Sequence, residues 1–478
     1  MVLAALIDRL RAVRIDCRLL RGTADRSVGR VTDVDAEVGP GDVFVALRGA
    51  RVDGHARVGS LGAASVLVVE RDVEAPEGPT VLWVADTRRA LPHLAAARLG
   101  DPGAAMKVVG VTGTNGKTSI TFLIAAMARA AGLRCGVIGT TGHYVGETYL
   151  PAAHTTPGAV ATQELLAQMR DAGCTVVAME VSSIGLAAYR ADAVPFAAAV
   201  FTNLTRDHLD WHGTMEAYAA AKARLFHELL AGTAVLNAAD PASRQMAPGD
   251  RPIWWYNDGD LRASEVLLSA TGTDATFHTP RGSFRGQARL VGAHNVENIL
   301  GALGGALAVG VPLDACAAGL AALQAIPGRL EAVPNTRGLA VLVDYAHTDD
   351  ALARVLATLR AVTTGRIVTV FGCGGDRDRG KRPLMGAVAA AGSDLVVLTS
   401  DNPRSEDPDG ILADILPGVG AAPHHVEPDR RAAIAWALAH ASAGDLVLIA
   451  GKGHERTQTI GSHVLPFDDR AVAAELLA

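Results

Sequence analysis

Cysteine is scarce in this chain of 478 residues: there are five, at positions 17, 135, 174, 316 and 373, and none forms a C-x-x-C pair. That scatter excludes a disulfide framework and a thiolate zinc site, and it fits a reducing compartment. No apolar run reaches the roughly 18 residues of a membrane span, and the apolar start at Met1–Leu6 meets Asp8 and Arg9 before a secretory core could form. The expectation is a soluble, cytoplasmic protein without membrane insertion. An excess of basic charge is also missing. The 44 Lys and Arg against 50 Asp and Glu leave a net charge of −6, which argues against nucleic acid as a partner and means that any anionic ligand must be held by placed groups. Internal repeats and low-complexity tracts are absent apart from a general enrichment in alanine. Apolar residues are plentiful: 49% hydrophobic against 20% charged supplies buried cores at a length that suggests about three compact units.

Three blocks emerge along the chain. Residues 1–104 mix short β-rich runs, Val43–Leu47 and Ala64–Val69, with Gly-Pro turns, and Asp101-Pro102-Gly103 reads as a linker. In residues 105–330 a strand over Val108–Val111 runs into a glycine-rich turn and a helical pattern over Ser119–Ala131 that Gly132 stops. Strands at Val176–Met179 and Ala198–Phe201 follow, with a helix over about Met215–Leu230. Residues 331–478 repeat the alternation, with strands at Ala340–Val343, Ile367–Phe371, Leu395–Leu398 and Leu446–Ala450, each ending in a polar or glycine-rich turn. The pattern predicts an α/β fold of mostly parallel sheets, whose ligands lie beyond the carboxyl ends of the strands.

Gly110-Val111-Thr112-Gly113-Thr114-Asn115-Gly116-Lys117-Thr118 has the strand before it and the helix after it that a phosphate-binding loop requires. The glycines admit backbone N–H groups to phosphate oxygens, Lys117 reaches the terminal phosphates, and the Thr118 hydroxyl suits Mg²⁺. Val111 stands at the first glycine position of the strict pattern. ATP is the expected ligand. Glu180 ends one strand and His208 follows another, so the two are candidates to share a second Mg²⁺. His208 and His212 are four apart, but no H-E-x-x-H accompanies them, so zinc is not expected. Lys222, inside an alanine-rich helix, reads on its own as a surface lysine.

Taken in order, Thr112–Thr118, Glu180-Val181-Ser182-Ser183, Thr202–His208, the helix with Lys222, His294–Asn298, Gly328-Arg329, Asp344–His347 and Gly451–Glu455 resemble the Mur ligase family of peptidoglycan synthesis. The resemblance implies three domains: a UDP-sugar-binding unit (1–104), a central P-loop ATPase (105–330) and a C-terminal Rossmann-like unit that brings an amino acid (331–478). It implies that Gly113, Thr114, Asn115, Gly116, Lys117, Thr118, Asn298, Arg329 and Asp344 bind ATP. Thr118, Glu180, His208 and a carbamylated Lys222 would hold Mg²⁺, and Thr32, Thr155, Thr156, Ser182 and Arg190 would touch the substrate. The implied catalytic set is Lys117, Glu180, His208 and Lys222. The implied reaction activates the D-glutamate carboxylate of UDP-N-acetylmuramoyl-L-alanyl-D-glutamate with ATP and joins it to an amine.

Asp401-Asn402-Pro403-Arg404 resembles the motif of the branch that uses meso-diaminopimelate, with Arg377, Gly451 and Glu455 completing the implied amine site. Lysine lacks one carboxylate of diaminopimelate and would leave a buried arginine without its partner, at about 1–3 kcal/mol. Departures concentrate near the N-terminus. Asp33-Val34-Asp35 replaces the family's Asp-Ser-Arg, the loop Gly49–Gly54 keeps Asp53-Gly54 without the expected polar residues before it, and Ala188 stands where relatives place glutamine. The alternatives are the same ligase adding L-lysine, a paralogue that binds nucleotides without ligating, and a folylpolyglutamate-synthetase-like ligase. A dinucleotide oxidoreductase fails because Arg377 holds the third glycine position after Gly372-Cys373-Gly374.

Overall fold

The computed structural model describes residues 1–49, 52–269 and 272–478; Ala50 and Arg51 of the Gly49–Gly54 loop lie outside the described residues. The chain is α/β and gathers into two compact units. The first comprises 1–262, 279–282 and 300–319, the second 263–278, 283–299 and 320–478.

The first unit contains two sheets. A five-stranded sheet has the order 17–21, 80–84, 66–69, 43–45, 31–32, all parallel except the first strand. An eight-stranded sheet has the order 253–256, 230–237, 196–201, 107–112, 176–180, 135–139, 142–145, 148–150. Its first six strands are parallel and its last three form an antiparallel meander. Strand Lys107–Thr112 lies in the middle, buried on both faces, which is why it reads as an unbroken apolar run. The helix that follows, Lys117–Ala130, turns Ile120, Leu123, Ile124 and Met127 inward, all fully buried at helical spacing. It ends where Gly132 takes φ +74° and donates to Arg129 O at 2.9 Å. The helix read over Met215–Leu230 is shorter: α-helix spans Met215–Arg224, a π turn occupies Leu225–Leu229, and Leu230 already begins a strand.

In the second unit, parallel strands run in the order 340–344, 446–450, 367–371, 395–398, 424–426, with the short Glu331–Ala332 antiparallel at one edge. Separate buried clusters cover the two faces, one around Leu352, Leu356 and Met385, the other around Ile434, Leu438 and Val472. Arg430 is fully buried and ties three parts together. Its guanidinium pairs with Asp469 of the last helix at 2.7 Å and donates to the carbonyls of Ser400 and Ala450 at 3.1 and 3.0 Å. Among the described residues, a three-stranded sheet (262–269, 272–279, 282–288) and a hairpin (457–460, 463–466) account for the remaining strands.

Candidate active site

The glycine-rich loop sits where strand Lys107–Thr112 meets helix Lys117–Ala130, and segment 202–205 holds its shape. Thr114 N donates to Asn203 O at 2.8 Å, Asn115 N to Asn203 Oδ1 at 3.0 Å, and Thr202 Oγ1 to Asn115 O at 2.6 Å. Thr205 N closes the frame on Thr114 Oγ1 at 3.0 Å. Gly113, at φ +144°, is obligatory: a Cβ there would lie 1.8 Å from Thr202 Oγ1. Lys117 Nζ folds back onto Gly113 O and Thr114 O, both at 2.9 Å, and Thr118 is buried at the first turn.

Lys222 corrects the surface reading. It is 1% exposed, donates to the same Gly113 O at 2.9 Å, and lies 4.4 Å above the Tyr218 ring. Burial first, and Lys117 second, push its pKa well below the usual lysine range. The physical reason is geometric: Tyr218 and Lys222 share one helix face four residues apart, and that face turns toward the phosphate loop, where Tyr218 Oη meets Thr114 Oγ1 at 3.1 Å. The spacing of Tyr218 was a signal available in the sequence. A half-exposed His208, in left-handed conformation (φ +51°), packs edge-on to the same tyrosine at 6.2 Å. His212 Nε2 instead meets Ser183 Oγ at 3.0 Å.

Glu180 belongs to a second network. It is 1% exposed; Oε1 accepts from Thr140 N at 3.0 Å and Oε2 from Thr140 Oγ1 at 3.1 Å, while Thr140 Oγ1 meets Thr155 Oγ1 at 2.9 Å. Thr156 Oγ1 donates to Glu180 O at 3.0 Å, meets Ser182 Oγ at 3.1 Å and accepts from Ser182 N at 2.9 Å. Arg190 Nη1 reaches Thr156 O at 3.1 Å. The structure therefore brings Thr155, Thr156, Ser182 and Arg190 together with Glu180. Among the described residues, no group of three or more His, Cys, Asp or Glu is arranged to hold a metal ion. Thr32 is buried in the five-stranded sheet, its hydroxyl accepting from Val34 N at 3.1 Å.

In the second unit, both Asp344 oxygens accept backbone amides, from Leu330 and Ala346 at 2.8 Å, while burial pushes its pKa up. The Arg329 guanidinium lies 5.6 Å from the Tyr345 ring, against which His454 also packs at 4.9 Å. Asn298 Nδ2 donates to Asn295 Oδ1 at 2.9 Å. The Asp401–Arg404 turn is locked from beneath by Lys452, a fully buried cation missed by the sequence reading because a lysine between two glycines looks like a solvated turn residue. Lys452 Nζ donates to Thr457 O, Glu455 Oε2 and Asn402 Oδ1 at 2.7, 3.0 and 3.2 Å. Asn402 Nδ2 donates to the same Glu455 oxygen at 2.8 Å. Arg404, at φ +54°, donates to Gly375 O at 2.8 Å, and Pro403 O packs where a Cβ on Gly375 would sit. Arg377 is exposed, with one bond to Asp376 O at 3.1 Å.

Sequence comparison decides the family. The Mur ligase middle domain matches residues 111–306, and the glutamate ligase domain of Mur ligases matches 328–453. A protein of Chromobacterium violaceum is 45% identical over 468 residues, 94% of each chain. The chain belongs to the Mur ligase family. That relative, and one from Geobacillus kaustophilus at 45% identity over 91% of this chain and 92% of its own, bear the name UDP-N-acetylmuramoyl-L-alanyl-D-glutamate--2,6-diaminopimelate ligase. A solved structure of a ligase with this name aligns with a TM-score of 0.71 at 34% identity over 96% of both chains. Folylpolyglutamate synthase of Mycobacterium tuberculosis shares the fold at a TM-score of 0.62 over 75% of this chain and 91% of its own, with 22% identity. Among the described residues no helix is long and apolar enough to cross a membrane.

Proposed function

We propose that this Mur ligase joins meso-diaminopimelate to UDP-N-acetylmuramoyl-L-alanyl-D-glutamate in the cytoplasm, with ATP consumed to form an acyl phosphate. The observation that carries the reading is the meeting of Lys117 and Lys222 on Gly113 O, in a phosphate loop framed by residues 202–205. Domain boundaries near residues 104 and 330 follow the family's plan, with the five-stranded sheet as the sugar-nucleotide unit.

The side-chain carboxylate of D-glutamate attacks the terminal phosphorus of ATP and ADP departs. The uncharged amine then attacks the acyl carbon, and the tetrahedral adduct expels phosphate. Lys117 exchanges its two carbonyl partners for phosphate oxygens and neutralises charge as it builds during transfer. Glu180 orders the Thr140–Thr155–Thr156–Ser182 network along which the substrate's peptide would lie, and Arg190 supplies the cation for its carboxylates. The Asp401–Arg404 turn, Arg377 and Glu455 receive the amine substrate, arginines for carboxylates and Glu455 Oε1 for an ammonium.

The donor types suit Mg²⁺: the Thr118 hydroxyl, the buried Glu180 carboxylate, the half-exposed His208 imidazole, and Lys222 once its neutral amine adds CO₂ and releases a proton to leave an anionic carbamate. Bound Mg²⁺ would offset charge on phosphate and acyl oxygens. The test incubates the purified protein with ATP, Mg²⁺ and the UDP-linked dipeptide, adds diaminopimelate or L-lysine, and follows product mass. A tripeptide product with diaminopimelate and little with lysine is expected. Product with neither amine would mark a nucleotide-binding paralogue, and preference for lysine would overturn the selectivity argument.

A further inference from the structure

A cavity of about 460 Å³ opens in the first unit, within the range of small-molecule sites. Arg48, Glu70, Asp86, Thr87 and Arg88 line it from the N-terminal region, and Tyr189 from the turn next to Arg190. Its carboxylates are already committed. Glu70 Oε2 accepts the Thr87 amide and hydroxyl at 3.1 and 2.9 Å, and Asp86 Oδ1 caps helix Thr87–Arg98 by accepting Arg89 N at 2.9 Å. The guanidinium groups are engaged far less. Arg48 approaches Glu70 only at 3.8 Å, with 63% of its side chain exposed. Arg88 Nη2 donates to the Arg48 carbonyl at 2.6 Å, and its charge is felt at Asp33.

Arg88 also sits close enough to Arg190 to help lower its pKa, after burial. Two loosely engaged guanidinium groups thus face a polar cavity, and Arg88 stands in the first turn of a helix, where the backbone field favours anions over cations. An arrangement of this kind is stabilised by an anion that both arms can grip, and guanidinium forks match phosphate oxygens in pairs.

We propose that Arg88 and Arg48 form a subsite for the diphosphate of the nucleotide-sugar substrate. The assignment rests on the substrate reading given above. It leaves Arg190 for the peptide carboxylates and gives the nucleotide its own cationic arm.

Arg88→Gln and Arg48→Gln, singly and combined, test it in steady-state assays with the full chain. Each single variant is expected to raise the KM for the UDP-linked dipeptide about 10-fold, and the pair about 100-fold. The KM values for ATP and diaminopimelate should stay put, and competitive inhibition by UDP alone should weaken in parallel. Arg88→Lys should recover part of the loss. An unchanged substrate KM in the double variant overturns the proposal. So does a raised KM with undiminished UDP inhibition, which would assign the arginines to the peptide end. If Arg88→Gln fails to fold, the exposed Arg48 still provides the test. A wild-type protein that makes no tripeptide refutes the functional reading instead, and calorimetric titration with UDP then judges the arginines separately: binding that the double variant loses supports them, and binding that it keeps overturns them.

Discussion

Two lysine amino groups converge on one carbonyl oxygen at Gly113, and only that of Lys117 reaches solvent. Lys222 is the one whose charge is suppressed, by burial and then by Lys117. Its native pKa lies below its unfolded value, so the unfolded chain binds more protons and stability rises with pH up to the ordinary lysine range. In CO₂-free buffer the melting temperature of the wild type should therefore climb from neutral pH toward pH 10 relative to Lys222→Met, and a parallel pair of curves would sink the assignment. With ¹³C-bicarbonate at pH 8, a carbamate carbon resonance is expected in the wild type and absent in Lys222→Met, whose kcat should fall by about 100-fold or more. Lys222 also marks where sequence reading ran short. Alanine neighbours leave Tyr218, one turn away, as the local sign of the inward face, and the lysine's burial depends on a loop more than a hundred positions upstream. Lys117 and Thr118 were legible because strand, glycines and helix are contiguous.

At the scale of elements, the glycines divide by surroundings rather than by backbone angle alone. Gly113 at φ +144° has Thr202 packed against it, whereas Gly132 at φ +74° has nothing within 4 Å of the point a Cβ would occupy. Gly113→Ala should abolish measurable ATP saturation, while Gly132→Ala should cost only about 1–2 kcal/mol in stability and leave the KM for ATP alone. Equal effects in urea titrations and ATP kinetics would show that the Thr202 contact is immaterial. Lys452 joins three elements: the 401–404 turn, its own 451–455 turn and the 457–466 hairpin. Replacing it with Met leaves Glu455 and Asn402 without their buried cation, so the KM for diaminopimelate should rise at least about 10-fold more than that for ATP, a split that simple destabilisation would not produce. The turns themselves were readable from the ends of the strands. The cation beneath them was not, because local pattern carries no record of a partner fifty residues away.

For the whole molecule, the alternation of apolar strands and helical segments predicted parallel α/β sheets, and the strands at 340–344, 367–371, 395–398 and 446–450 fall where that pattern placed them. The return of residues 279–282 and 300–319 to the first unit was not legible, since periodicity describes a segment's own face and not the surface on which it docks. The five thiols offer a global check on the packing. Burial pushes Cys135, Cys316 and Cys373 up to about 12, Cys174 is also buried, and only Cys17 is partly exposed. Under native conditions one thiol should react promptly with a disulfide reagent such as DTNB, and all five after unfolding in guanidinium. Prompt reaction of three or more in the native protein would contradict the buried cores.

Arg430 has one more implication. The carbonyls it grips, at Ser400 and Ala450, are the last footholds before the two turns proposed to receive the incoming amino acid, and its counter-charge, Asp469, comes from helix Asp469–Leu477. On the proposed reading, that helix is ballast for amine selection. Asp469→Ala should strand the buried guanidinium, lower stability by about 3–5 kcal/mol and loosen both footholds together, so that discrimination between diaminopimelate and lysine erodes before ATP turnover does.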